Sequence, residues 1–307
     1  MKYVIYKLEF QTAVHFGTGR LNETTYIFHA DQLFSALYIE ALKAGTADTF
    51  YEMVKNGDIV FSDAMPYVGD NYLIPKPMVY VQNDRKGSSE QKKAYKKLKY
   101  IPVDELDNFL QGKMDIFHNP MEGYGFEKQR NMVQVRTDEN DSKPYRVGEF
   151  YYRNGNGLYV IVGYEKETEI CLFEELMEAV SYVGIGGKRA SGLGKFTFIK
   201  AKKSMELERL LQNKSEINIL ITGALPQDSE LEDALEDATY LLEKRSGFAV
   251  APIGMQVEEE KDWQKKKDLY IFSAGSCFKK QFQGDIYDVS KGKYPIYRYA
   301  KAMFLGV

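Results

Sequence analysis

The sequence predicts an α+β protein of two ferredoxin-like units, residues 1–203 and 204–307, the second abbreviated. Three observations carry that expectation. Once a basic insertion is set aside, the first two thirds of the chain follow the order β-α-β-β-α-β. The last third restarts with an alternating strand and a helix-spaced segment. No run of about 18 apolar residues and no short-period repeat points instead to a membrane span or a solenoid.

Segment 3–11 alternates, with Val4, Tyr6, Leu8 and Phe10 on one face and Lys7, Glu9 and Gln11 on the other, as a half-buried strand does. The loop His15-Phe16-Gly17-Thr18-Gly19-Arg20 follows. Leu33, Phe34, Leu37, Ala41 and Leu42 then keep helical spacing, and Gly45 supplies a stop. Residues 57–61 form a short second strand. Residues 65–127 are expected to be a loop region, with Pro66, Pro75 and Pro77 and then a basic stretch from Arg85 to Lys99 that protrudes as a mobile insertion. That stretch would hold a polyanion or simply stay solvated.

Segments 130–136 and 145–164 predict strands of an antiparallel meander. Its turns are Asp138-Glu139-Asn140-Asp141-Ser142 and Asn154-Gly155-Asn156-Gly157. Leu172, Phe173, Leu176, Val180 and Val183 predict the second helix, and Lys195 to Ile199 the closing strand. In the last third, Ile217, Ile219 and Ile221 alternate. An acidic helix is expected from Asp228 to Glu243, then β-rich sequence at 247–255 and 268–278. The Gly-, Asp- and Lys-rich 279–293 replaces a second helix, and a strand lies near 295–304.

The balance of 41 Lys and Arg against 44 Asp and Glu, a net charge of −3, leaves no global field for a nucleic acid, so any polyanion is held by local clusters. Cys171 and Cys277 are the only cysteines and form no CxxC, which excludes a disulfide framework and a thiolate zinc site and fits a reducing, cytoplasmic compartment. Met1 to Tyr6 runs into a polar strand, unlike a secretory leader. HExxH, DxDxDG and GxSxG patterns are absent, so no metal, cofactor or activated serine is expected.

The densest signal is Gly184-Ile185-Gly186-Gly187-Lys188-Arg189-Ala190-Ser191-Gly192-Leu193-Gly194. Glycines permit positive φ and close backbone approach, so successive N–H groups can converge on phosphate oxygens while Lys188 and Arg189 neutralise charge. Neither a Walker loop nor a dinucleotide fingerprint fits: Leu193-Gly194 follows Gly192, and Arg189 stands where the latter needs glycine. A solvated turn that tightens a helix-to-strand connection fits the same spacing.

This loop before the last strand of the unit, with the early Leu33-Phe34-Ser35-Ala36-Leu37 helix, resembles the RAMP (repeat-associated mysterious protein) superfamily of CRISPR systems. The Lys244-Arg245-Ser246-Gly247-Phe248 segment, His15-Phe16-Gly17 and the two-unit layout are similar to the fourth-subunit family of type III-A Csm effector complexes. The resemblance spans nearly the whole chain. It implies a non-catalytic subunit that caps the guide ribonucleoprotein at the 5′ tag of the CRISPR RNA. Docking would be on the large polymerase-like first subunit and on the backbone third subunit, with neither membrane nor small-molecule substrate.

Residue by residue, the resemblance puts Gly186, Gly187, Lys188, Arg189, Ser191, Gly192 and Gly194 against tag phosphates, with His15, Gly17 and Arg20 beside them. Arg245, Ser246 and Gly247 would add contacts from the second unit; a helix C-terminal cation before a glycine cap is the plain alternative for Arg245. Segment 128–147 matches the position of a β-hairpin thumb in relatives. Arg130, Arg136 and Met132 would hold the strand there and wedge between bases, though charges that keep an edge hairpin soluble give the same pattern. Tyr124, Tyr145, Tyr151 and Tyr152 lie nearest for stacking.

The competing reading is a metal-independent endoribonuclease that processes repeat RNA. Its acid or base would be His15, one of three histidines with His29 and His118, although His15 could equally hydrogen-bond a phosphate without chemistry. Asp31 falls at the helix start, as a cap or first-turn acid. Backbone subunits of the related complex carry their cleaving aspartate earlier, in the preceding loop, so target cleavage is disfavoured.

Overall fold

The computed structural model describes residues 1–81, 88–134, 143–202, 204–250, 263–292 and 294–307. Through the first two thirds the elements are β1 (Lys2–Phe10), α1 (Ala30–Ala44), α2 (Ala47–Asn56), β2 (Ile59–Phe61), β3 (Met65–Val68), β4 (Asn71–Pro75), α3 (Ser89–Lys97), β5 (Tyr100–Pro102), α4 (Leu106–Leu110), β6 (Gly125–Gln134), β7 (Lys143–Tyr152), β8 (Asn156–Tyr164), α5 (Glu167–Val183) and β9 (Phe196–Lys200). The remainder comprises α6 (Met205–Gln212), β10 (Asn218–Leu220), α7 (Leu231–Leu235), β11 (Leu242–Arg245), β12 (Phe248–Val250), β13 (Trp263–Lys265), β14 (Leu269–Phe272), β15 (Cys277–Phe278), β16 (Gly284–Asp288), β17 (Tyr297–Lys301) and β18 (Phe304–Gly306). No helix among the described residues is long and apolar enough to cross a membrane.

The architecture is mixed α/β with several antiparallel sheets. The largest runs β5-β4-β3-β8-β1-β9, with β2 also paired to β8. β1 pairs with β8 from Lys2–Tyr164 to Leu8–Leu158 and with β9 from Tyr6–Lys200 to Phe10–Phe196. Alternation along β1 and β8 separates two cores. Val4, Tyr6, Leu8, Val160 and Val162 meet Leu33, Phe34 and Leu37 of α1 and Phe173 and Leu176 of α5. Ile5, Tyr159 and Ile161 on the opposite face are covered by Leu207 and Leu210 of α6, Ile219 of β10 and Leu305 of β18. Each fully buried side chain of this size contributes about 1.5–3 kcal/mol. The sheet face that RNA-binding sheets use for stacking is therefore spent on the interior.

The C-terminal third also closes the first core. Tyr299 of β17 stacks on Phe61 at 4.4 Å between ring centroids, and its hydroxyl donates to the Phe61 carbonyl at 3.1 Å. β10 pairs with β15 and β18, while β11–β14, β12–β13 and β16–β17 form two-stranded sheets.

Several expectations are corrected. The 65–127 segment is not a loop region: β3, β4 and β5 extend the main sheet, and Ser89–Lys97 of the basic stretch is helical. Its tether is Tyr95, whose ring stacks on Phe109 at 5.8 Å. Residues 145–164 do not form a meander. β7 forms its ladder with β6 while β8 belongs to the main sheet, so the Asn154-Gly155 turn passes the chain between sheets.

The acidic segment is helical only at Leu231–Leu235, after which Leu242 to Arg245 pairs with Leu269 to Phe272. A ladder to a distant strand outcompetes the local helical spacing. Residues 279–293 hold β16, paired with β17. Helices α2 and α6 carry no expectation from the sequence. Arg136, like Arg85, Lys86 and the 138–142 turn, lies outside the described residues.

Candidate nucleic-acid interface

Three segments distant in sequence meet at one end of the main sheet. The loop after β1 is strapped to the base of the β6–β7 hairpin: Val14 and Phe150 exchange both backbone hydrogen bonds at 2.9 Å, and the Gly148 amide donates to the Leu21 carbonyl at 2.9 Å. The His15 imidazole is buried, and its Nδ1–H donates to the Gly148 carbonyl at 2.7 Å. The glycine loop docks on the same strap, with the Gly187 amide on the His15 carbonyl and the Gly194 amide on the Ala13 carbonyl, both at 2.8 Å.

The glycines divide by role. Gly194 has φ +80°, and a Cβ there would lie 2.1 Å from the Ile185 carbonyl oxygen; at Gly186, φ +97°, it would lie 2.8 Å from that of His15. Those two are required by close packing within the protein, around the buried Ile185 and Leu193. The outward bend has another use. Lys188 adopts left-handed φ 59° before a single 3-10 turn, Arg189–Ser191, an alternation that aims successive N–H groups toward one point. Among the described residues, the amides of Gly186, Lys188, Arg189 and Ala190 donate to no protein acceptor.

The hairpin supplies the flank. Met132 lies directly opposite Tyr145, and Lys128 opposite Glu149, so Lys128, Arg130, Met132 and Tyr145 share one face. Lys188 Nζ is 4.7 Å from the Tyr145 ring centroid, a cation–π contact that joins glycine loop to hairpin. Arg130 reaches the buried Glu149 at 3.5 Å, and Arg20 pairs with Glu23 at 3.4 Å. Of the four tyrosines near the hairpin, Tyr124 is buried, Tyr152 donates to the Tyr26 carbonyl, Tyr151 stacks on Phe126, and Tyr145 carries the Lys188 cation against its ring.

Arg245, Ser246 and Gly247 are not part of this assembly. They lie at a second charged centre between the N- and C-terminal parts. There Asp31 accepts from Arg245 (Nη2 to Oδ1, 2.6 Å) and from Arg298 (Nη1 to Oδ2, 2.6 Å), and Arg298 also donates to the Ser246 carbonyl. Burial pushes the Asp31 carboxyl up, but the two guanidiniums outweigh it and hold the pKa below the ordinary 3.8. Asp31 is thus a charge anchor; the N-cap of α1 is His29, whose amide donates to Gln32 Oε1 at 2.9 Å, and Asp63 adds a cap from outside the helix, its Oδ1 accepting from the Ala30 amide at 2.8 Å. Asp63 carries no local sequence signal for that role.

A glycine loop on the first-strand loop and a basic hairpin at one end of an extended sheet are the features in which the sequence resembles the RAMP superfamily, and comparison with known proteins points to subunits of type III CRISPR effectors. Residues 213–307 match the CRISPR Csm4 C-terminal domain. The chain is 36% identical over 296 residues, 95% of its length and 94% of the relative's, to "CRISPR system Cms protein Csm4" of Mycobacterium tuberculosis H37Rv, and 35% identical over 318 residues, covering 99% and 98%, to that of Streptococcus thermophilus. It belongs to the Csm4 family.

Solved structures share the fold. A Csm3–Csm4 subcomplex of a type III-A interference complex matches with TM-score 0.65 at 17% identity, over 100% of this chain and 99% of that one. A Csm1–Csm4 cassette with cA4 matches at 0.61 and 20% identity, over 99% and 97%.

Proposed function

We propose that this chain is a non-catalytic RNA-holding subunit of a type III-A CRISPR ribonucleoprotein that caps the 5′ tag of the CRISPR RNA. The carrying observation is the bend at Gly186 to Ala190, where four amides that are unpaired among the described residues stand beside Lys188 and Arg189. Such a bend binds phosphate oxygens with no side-chain reorganisation. Ser191 and Gly192 follow it directly, Gly187 and Gly194 pin it to the β1 loop, and we assign Gly17 and Arg20 of that loop to the same track. The hairpin face of Lys128, Arg130, Met132 and Tyr145 continues the track, its cations for the backbone and Tyr145 for a base. Relatives assemble with Csm1 and with Csm3; we take both as partners of this chain.

The strand order β2/β3-β8-β1-β9, with α1 and α5 on one face, supports a ferredoxin-like first unit. We infer that residues 204–307 are its abbreviated counterpart, around β10, β15 and β18, with the 128–147 hairpin as thumb. His15 serves as a strut in this reading. Its Nδ1–H is committed to a backbone carbonyl, and no second acid or base is hydrogen-bonded to it among the described residues.

The test is the salt dependence of tag-RNA binding. Each phosphate that the protein no longer neutralises lowers the slope of log K against log salt by about 0.7 for single strands. Lys188→Ala with Arg189→Ala should flatten the slope by one to two such steps, and an unchanged slope refutes the loop as the phosphate site. Metal-free cutting of repeat RNA abolished by His15→Ala, with binding intact, would establish the ribonuclease instead.

A further inference from the structure

Between the N- and C-terminal parts lies a cavity of about 210 Å³, lined among others by Tyr26, His29, Asp63, Tyr100, Glu243 and Ser273. It is small beside the roughly 300–1,000 Å³ of pockets that enclose drug-sized ligands, and suits one planar ring system. Its polar groups have unused capacity. The Ser273 hydroxyl is shielded from solvent and has no hydrogen-bond partner among the described residues. His29 donates through Nδ1 to Asp63 Oδ2 at 2.8 Å, which turns Nε2 toward Glu243 Oε1 at 3.7 Å, beyond a hydrogen bond. Arg245 occupies only one oxygen of Glu243, Oε1.

The occupant's chemistry follows from the lining. Asp63 and Glu243 call for a ligand edge that donates hydrogen bonds, and Lys99 stands in the same lining. Among the described residues no group of three or more His, Cys, Asp or Glu is arranged for a metal ion. The Tyr26 and Tyr100 rings, 6.4 Å apart between centroids and inclined at 62°, form an aromatic corner. A carboxylate oxygen, an imidazole nitrogen and a hydroxyl next to aromatic rings match the edge and face of a nucleobase.

We propose that this cavity is a base pocket: it takes a single nucleobase whose ring lies against Tyr26 and Tyr100 and whose N–H edge donates to Glu243, with His29 and Ser273 completing the edge. The pocket's chemistry is independent of the glycine loop. Only the source of the base, a splayed nucleotide of the guide RNA or a free nucleotide, rests on the RNA-holding reading.

The full chain titrated with each of the four ribonucleoside monophosphates, followed by tyrosine fluorescence, tests the pocket alone. One nucleotide should bind, and Glu243→Gln, which keeps shape, and Ser273→Leu, which fills the cavity, should each weaken it at least tenfold while Lys2→Ala, at a surface ion pair with Glu167, leaves it unchanged. No binding by any of the four, or equal binding by all variants, overturns the proposal. In the assembled complex, one tag base should be protected from Watson–Crick-edge modification and become reactive in Ser273→Leu; protection that persists there sinks the guide-RNA source and leaves the free nucleotide. If Ser273→Leu changes neither readout yet loosens Csm1 or Csm3 docking, the cavity takes a partner side chain and the base pocket is wrong. Failure of RNA to copurify at all, with nucleotide binding intact, strikes the RNA-holding reading alone.

Discussion

Arg245 closes on Asp31 with two hydrogen bonds, Nη2 to Oδ1 at 2.6 Å and Nε to Oδ2 at 3.2 Å, between residues 214 positions apart. The contact ties strand β11 to the first turn of α1, and Arg298 from β17 completes it. A single carboxylate therefore pairs with two guanidiniums that arrive from separate strands of the C-terminal third, and Glu243 supplies a second negative charge to Arg245.

Removing that carboxylate should be costly. Asp31→Ala leaves two buried cations without their shared anion, a loss of about 3–5 kcal/mol by comparison with broken buried pairs. Arg245→Met should cost less, because Arg298 still satisfies Asp31. Urea unfolding checks the order, with the midpoint of Asp31→Ala the lower of the two.

Stability should depend on pH through His29. Burial disfavours its charge, but the carboxylates of Asp63 and Glu243 outweigh both that and the repulsion from Arg245, so its pKa stands above the ordinary 6.5. A raised folded pKa stabilises fully below the unfolded value and the gain fades as pH rises through the folded one. The stability gap between wild type and His29→Gln should therefore be widest below about pH 6 and narrow on the alkaline side. A gap that widens with rising pH would contradict the assignment.

The glycine loop offers an internal comparison. Gly194→Ala places a Cβ against the Ile185 carbonyl and should unfold the loop, lowering Tm by several degrees or preventing accumulation. Gly192→Ala, with φ +85° but open space around it, should cost only about 1–2 kcal/mol of backbone strain. Thermal denaturation of the two proteins distinguishes a packed bend from a merely flexible one.

Tyr145 bridges loop and hairpin through Lys188. Under the RNA-holding reading, Tyr145→Leu should reduce tag-RNA affinity by about 1–3 kcal/mol, the worth of one stacked base, whereas Tyr145→Phe retains the ring and most of the affinity. Fluorescence anisotropy with a labelled tag oligonucleotide measures both. Equal losses in the two variants would trace the effect to the hydroxyl.

Much of this protein is written in short-range patterns. Period-two alternation marked β1, helical spacing marked α1 and α5, and the clustered glycines marked the bend at 184–194, because each depends only on backbone preferences within a few residues. Partners hundreds of positions away were not written there. Leu242 to Arg245 carries helical spacing yet pairs with β14, and Arg245 resembles a helix-end cation yet serves as a buried clamp on Asp31. Asp63 caps a helix that begins 33 residues earlier, and Ile5 and Tyr159 are covered by helix and strands of the C-terminal third. Charge pairing and burial are settled by which surfaces meet in three dimensions, so the tertiary structure alone decided that Arg245 is bonded to Asp31 and that Lys188 at the bend stands beside an aromatic ring.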